Sequence, residues 1–209
     1  MIDNYSDVTI EKYMEIKAVI EEQYDNDVTN VKLVSILSDM TEEEVGNLNL
    51  TEYKKLNEKL IFLTEMPSKK MIATKYKLGG CEFEMMMNIQ DMTVSQYIDY
   101  QTFIKDTEKY LVELISIFLI PKGKKYNEGY DIMKVHKLIK ENLSIVDALS
   151  MSDFFLLWYQ SLTKATLHSL IRRLKKMKKK MKNQEEIRKM EEAIANLQQS
   201  GDGLHLSIE

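Results

Sequence analysis

The sequence predicts a mainly α-helical protein with one small β-hairpin packed on a helical bundle and a long basic helix near its C-terminus. Three observations carry that expectation. Seven Gly and two Pro in 209 residues leave few breaks in regular structure, and the composition, 44% hydrophobic and 30% charged, is that of a packed chain and not a disordered one. Apolar residues recur at three- and four-residue spacing over most of the length. Only residues 72–89, around Gly79-Gly80, switch to an alternating pattern.

The first helix is expected over Val8 to Glu22, with Tyr13, Ile16 and Ile20 on one face, and the second over Val28 to Leu37. Thr41-Glu42-Glu43-Glu44 has the capping-box form, in which the threonine hydroxyl takes the fourth residue's amide and the glutamate returns the bond. A further helix is expected from Leu50 to Leu63. Met66-Pro67-Ser68-Lys69-Lys70 should end it, because the residue before a proline is pushed out of the helical region. A domain boundary or hinge is therefore expected at 66–71, after an N-terminal helical region of residues 1–66.

Residues 72–165 are expected to form a hairpin plus helical core. Tyr76 and Leu78 alternate before Gly79-Gly80, and Cys81, Phe83 and Met85 alternate after it; Gly-Gly supplies the positive φ values of a tight two-residue turn. A lone hairpin is marginal in water, so this one should lean on a helix or pair with a strand of another chain. From Thr93 onward, Val94, Tyr97, Ile98, Gln101, Ile104, Leu111, Leu114, Ile115 and Phe118 read as one apolar helical stripe up to Pro121. Gly123 and Gly129 bracket a tyrosine-rich loop, and Asp131 opens a helix through Val135, Leu138 and Ile139. Ser144 and Ser150 each look like a helix N-terminus. The second would open a long helix beginning Phe154, Phe155, Leu157, Trp158 and ending in the basic run. A break at Asn183 or Gln184 and a last helix from Glu185 to Leu197 complete a basic/acidic arm, residues 166–199, followed by a flexible tail, 200–209.

Cys81 is the only cysteine, so no disulfide can form within the chain, which suits a reducing cytosol. The N-terminus lacks the basic-then-apolar order of a secretory signal, and the longest apolar stretch, Leu114 to Ile120, falls far short of a membrane span. A soluble cytoplasmic protein with no membrane contact is expected. His136, His168 and His205 stand far apart without a paired nucleophile or carboxylate, and neither they nor the lone cysteine have metal-ligand spacing. Gly79-Gly80 and Lys122-Gly123-Lys124-Lys125 lack the spacing of a phosphate loop, and Asp99, Asp106 and Asp131 form no evident acid pair. No catalytic residue, cofactor or metal site is therefore predicted, and the chain is expected not to be an enzyme.

The formal net charge is −4, yet residues 172–182 hold eight basic and no acidic side chains, which leaves −12 for the rest. Arg172, Arg173, Lys175, Lys176, Lys178, Lys179, Lys180 and Lys182 are the candidates for contact with an anionic partner. Ile171, Leu174, Met177 and Met181 thread a thin apolar seam between them. Nucleic-acid or membrane contact, a helical hairpin against Glu185, Glu186, Glu191 and Glu192, and a merely solvated helix end all remain open, the hairpin being favoured by its adjacent opposite charge. Fourteen methionines, including Met85-Met86-Met87, suit adaptable apolar contact as well as core filling.

Two segments resemble a known family. Leu37 to Val45 (LSDMTEEEV) with the following Leu48 to Leu56, and the hairpin leading into Asp91 to Asp99 (DMTVSQYID), are similar to tailed-bacteriophage tail-assembly chaperones and related tail-module proteins; Pro121 to Asp131 (PKGKKYNEGYD) is similar to stretches of such proteins. The likeness spans roughly residues 30 to 160 and leaves the basic arm and tail unmatched. It implies a non-enzymatic protein that coats the extended tape-measure protein, keeps its helices from aggregating and recruits tail-tube subunits. It also implies work in the host cytoplasm, with self-association and with the finished virion as a further location. A structural virion component (connector, tail or packaged protein) and a nucleic-acid-binding regulator acting through the basic helix are the alternatives. Tyr76, Phe83, Met85, Tyr97, Tyr100, Tyr126 and Tyr130 are the residues expected to contact protein partners.

Overall fold

The structure, a computed structural model, describes residues 1–178 and 184–202. It is mainly helical with a small three-stranded antiparallel sheet. The chain divides into two compact units, Met1–Asp153 and Phe154–Glu209.

In the first unit, α1 (Ile10–Glu21) is capped by the Thr9 hydroxyl, which accepts from the Lys12 amide. Val8 thus precedes the helix and is fully buried. Helix α2 (Asn26–Ser38) ends where Asp39 turns left-handed, at φ 56°. The capping box at Thr41 is formed and opens the five-residue α3 (Glu42–Gly46), and Glu44, held by the Thr41 amide and hydroxyl, has its carboxyl pulled below the usual range. The expected single helix over 50–63 is instead α4 (Leu50–Glu58) followed by a tighter 3-10 turn, Lys59–Thr64. The Pro67 segment does not separate two compact units. Lys70 is tied down twice, its amide donating to Ser150 Oγ at 3.1 Å and its ammonium pairing with Asp147 at 2.8 Å.

Strands β1 (Lys75–Leu78) and β2 (Cys81–Met85) form the hairpin, with Gly79 and Gly80 at φ +53° and +83°, as a primed turn requires. The hairpin gains a third strand from its own chain: β3 (Leu119–Pro121) pairs with β2, setting Leu119 against Met85 and Pro121 against Phe83. Leu78, Phe83, Met85 and Leu119 face the core, whereas Lys75, Lys77, Glu82 and Glu84 point outward as cross-strand opposite charges. Proline is tolerated in β3 because, among the described residues, no strand pairs with its outer edge to receive an N–H.

The stripe expected to be one helix from Thr93 to Pro121 is divided. Helix α5 (Val94–Phe103) is followed by a break, then by α6 (Leu111–Phe118), and the last three residues of the apolar run leave the helix to pair with β2. Apart from Glu113, every residue of α6 is buried, and α6 forms the centre of the unit, with Tyr100 standing edge-on to Phe118 at 5.5 Å. Gln96 closes the capping box of α5 with Thr93 and also donates from Nε2 to the Ile117 carbonyl at 2.9 Å, so a buried amide fixes α5 against α6. Helix α7 (Ile132–Asn142) packs on α6 through Val135 and Ile139.

Helix α8 (Ile145–Lys178) starts at Ser144 and runs straight through Ser150. The expected second start at Ser150 is absent because its hydroxyl turns back onto the Val146 carbonyl, 2.7 Å away. Paired backbone bonds, Ile10 N to the Leu143 carbonyl and Ile145 N to the Val8 carbonyl, stitch the start of α1 to the corner between α7 and α8. In the second unit, α9 (Gln184–Asp202) extends beyond the expected Leu197. The expected break at Asn183 and the tail beyond Asp202 lie outside the described residues.

Candidate protein-binding surface

The seven residues expected to contact partners are distributed very differently between core and surface. Phe83, Met85 and Tyr100 are buried and hold the sheet and α5 to the core. Tyr76 is half-buried: its hydroxyl accepts from the Ala73 amide at 3.0 Å and donates to Asp147 Oδ1 at 3.3 Å, and burial pushes its pKa up to about 12. Tyr126 ties the 122–130 loop to α5 by donating to Asp99 Oδ2 at 2.9 Å; burial first, and then this bond to a carboxylate, raise its pKa. Tyr130 closes the same loop by accepting from the Asn127 amide, and burial raises its pKa as well. Tyr97 alone of the seven is largely exposed.

Tyr97 does not stand by itself. Val94, Tyr97 and Ile98 are 77%, 46% and 58% exposed, and their spacing of three and four puts them side by side on one face of α5. The helix therefore has two apolar arcs. The inward one, Tyr100 and Ile104 with the buried amide of Gln96, is the one the core takes; the outward one is left to solvent. Val94 and Ile98 read as core from periodicity, and what could have separated the arcs is Gln96, whose side chain is drawn to the N-terminus of its own helix by the capping box.

A second apolar feature is a groove of about 530 Å³ between α2 and the turn after α4, with Leu33, Leu60 and Leu63 in its lining and Ile61, 75% exposed, beside them. Asn57 lines it too, and its Oδ1 is buried with no hydrogen-bond partner among the described residues. Such an acceptor favours a ligand that brings an N–H donor.

The structure corrects one expectation about chemistry: His136 does have a hydroxyl neighbour, Ser116 Oγ, 2.9 Å from Nε2. Ser116 is 2% exposed and donates to the Glu113 carbonyl at 2.7 Å, so its oxygen receives the imidazole N–H. A serine so placed holds α7 to α6 and is poorly positioned to attack a substrate. Burial lowers the His136 pKa, opposed by the nearby Glu113 charge. With the folded pKa below the unfolded value of about 6.5, the unfolded chain binds the extra proton first, and stability falls as pH drops below about 6.5. Thermal melts at about pH 7.5 and 5.5 should show this loss, and His136→Gln should shrink it; an equal loss in the variant would contradict the assignment.

In the second unit, Arg172, Arg173, Lys175 and Lys176 are exposed, and Lys178 pairs with Glu191 of α9. Ile171 and Ile194 are buried, consistent with α9 lying along α8 on the Lys178 side. Lys179, Lys180 and Lys182 lie outside the described residues. Of the other histidines, His168 is exposed on α8 and His205 lies outside the described residues. Among the described residues, no helix is long and apolar enough to cross a membrane, and no three His, Cys, Asp or Glu side chains gather as metal ligands would. Compared with protein-family models, curated proteins and solved structures, the chain matched none of them.

Proposed function

We propose that this chain is a non-enzymatic assembly factor that binds other structural proteins during phage morphogenesis, in the manner of a tail-assembly chaperone, and acts in the host cytoplasm. The observation that carries the reading is the outward arc of α5, Val94, Tyr97 and Ile98. These residues fall within the DMTVSQYID segment on which the family resemblance rests. An apolar helix face set on a rigid bundle by a capping box and a buried amide is suited to receive another amphipathic helix. The groove beside Ile61 adds a second apolar contact region.

Co-expression with a long helical protein of the tape-measure type tests this. The chain should keep that protein soluble and co-elute with it on size exclusion. Val94→Ser with Ile98→Ser should weaken the complex by about a hundredfold or more, as the loss of two buried side chains at about 1.5–3 kcal/mol each implies, while leaving the melting temperature nearly unchanged. No complex with the unaltered chain would overturn the proposal. Stoichiometric copies in purified particles would move it to a structural virion component.

A further inference from the structure

The basic end of α8 has a geometry of its own. At about 100° per residue, His168, Arg172, Lys175 and Lys176 fall within roughly 100° of arc, with Arg173 at its flank. They line or adjoin a cleft of about 450 Å³ together with Ile171. Lys178 lies on the other side of Ile171, where Glu191 neutralises it. Among the described residues, none of Arg172, Arg173, Lys175 and Lys176 has an acidic partner, although α9 follows directly with its glutamates. Among the described residues, the packing of α9 on α8 therefore uses one cation and leaves four on a separate face.

We infer that this face binds the phosphate backbone of a nucleic acid. Carboxylates on a protein surface are met one at a time, as Lys178 meets Glu191, whereas a phosphate backbone presents charge at a regular repeat and satisfies a row of cations together, releasing counterions. Two adjacent guanidiniums add bidentate phosphate contacts. A bilayer fits less well. The exposed Leu170 and Met177 lie roughly 100–160° round the helix from Arg172, Lys175 and Lys176, with only Arg173 beside them, so burying them in acyl chains would turn three of the four cations away from the headgroups. Contact with backbone alone makes the binding independent of sequence.

The test is fluorescence anisotropy with the full chain and labelled random-sequence oligonucleotides, duplex and single-stranded. Four ionic contacts give a slope of log K against log salt of about −3.6 for duplex and about −2.8 for single strand, so raising salt from about 50 to 200 mM should weaken duplex binding about a hundredfold. Neutralising the face (Arg172→Gln, Arg173→Gln, Lys175→Gln, Lys176→Gln) should remove most of the affinity and flatten the slope. Neutralising four exposed lysines elsewhere (Lys54, Lys55, Lys124 and Lys125, each to Gln) changes net charge equally and should leave affinity within about twofold. Circular dichroism of both variants controls for folding. Equal binding by the neutralised face, an equal loss in the control variant, displacement by polyglutamate at matched charge, tighter binding to phosphatidylserine vesicles than to either oligonucleotide, or no binding at low salt would each overturn the inference.

Discussion

Gly79→Ala is expected to destabilise the first unit by about 2–3 kcal/mol, and Gly80→Ala by only about 1 kcal/mol, although both sit in the same two-residue turn. Both backbones are left-handed, at φ +53° and +83°, and each alanine bears that cost. They differ in what lies outside the turn. A Cβ at Gly79 would come within 2.4 Å of Leu138 Cδ2 and 3.6 Å of Asn142 Nδ2 on α7, whereas nothing lies within 4 Å of one at Gly80. The turn therefore does two jobs: it reverses the chain, and at Gly79 it brings the hairpin tip so close to α7 that a side chain there would have to displace Leu138. Trp158, the only tryptophan, belongs to the second unit and is a poor probe of this change. Urea unfolding followed by circular dichroism, with hydrogen-exchange protection measured over residues 75–85, reports it directly. Equal effects from the two alanines would show that the contact with α7 contributes nothing.

That pair also marks how far local sequence determines the fold. Gly79-Gly80 between alternating residues, and the capping box at Thr41, are signals in which every participant lies within a few residues, and both formed as expected. The third strand left no such trace. Leu119-Ile120-Pro121 closes an apolar run whose first eight residues are helical, and it becomes a strand only because β2 offers hydrogen bonds there, some 35 residues away in sequence. The candidate site was harder still. Phe83 and Met85 occupy the sheet face that their own alternation predicts to be buried, so an exposed role for them ran against the pattern. On α5 both arcs are apolar, and periodicity cannot choose between them; the choice is made by α6, through the Gln96 bond to the Ile117 carbonyl. Ser116 and His136 are 20 residues apart on different helices, a pairing that only the packing of α7 on α6 creates.

Asp147→Ala should cost about 2–3 kcal/mol, as large an effect as any single polar substitution in the first unit, because one carboxylate joins three parts of the chain. Its side chain is only 12% exposed. Oδ2 accepts from Ser144 Oγ at 2.6 Å, which completes the cap of α8, and pairs with Lys70 Nζ at 2.8 Å, which holds the segment after Pro67. Oδ1 accepts from Tyr76 OH at 3.3 Å, which reaches into the hairpin. Lys70 is half-exposed and can be hydrated again on losing its partner, and Ser144 still accepts from the amide of residue 147, so the loss is not the full sum of three charged bonds. Asp147→Asn keeps the shape and one acceptor, discards the charge, and should cost roughly half as much. A double-mutant cycle with Tyr76→Phe separates the contributions. The coupling should be small, about 0.5–1 kcal/mol, because the bond is long and the Tyr76 hydroxyl keeps the Ala73 amide. If the hairpin is instead held by packing alone, the coupling vanishes and Asp147→Ala leaves hydrogen-exchange protection in β1 and β2 unchanged, while the segment around Lys70 still loosens. Hairpin, linker and helix start would then be three separate contacts that happen to share a residue, and not one polar joint.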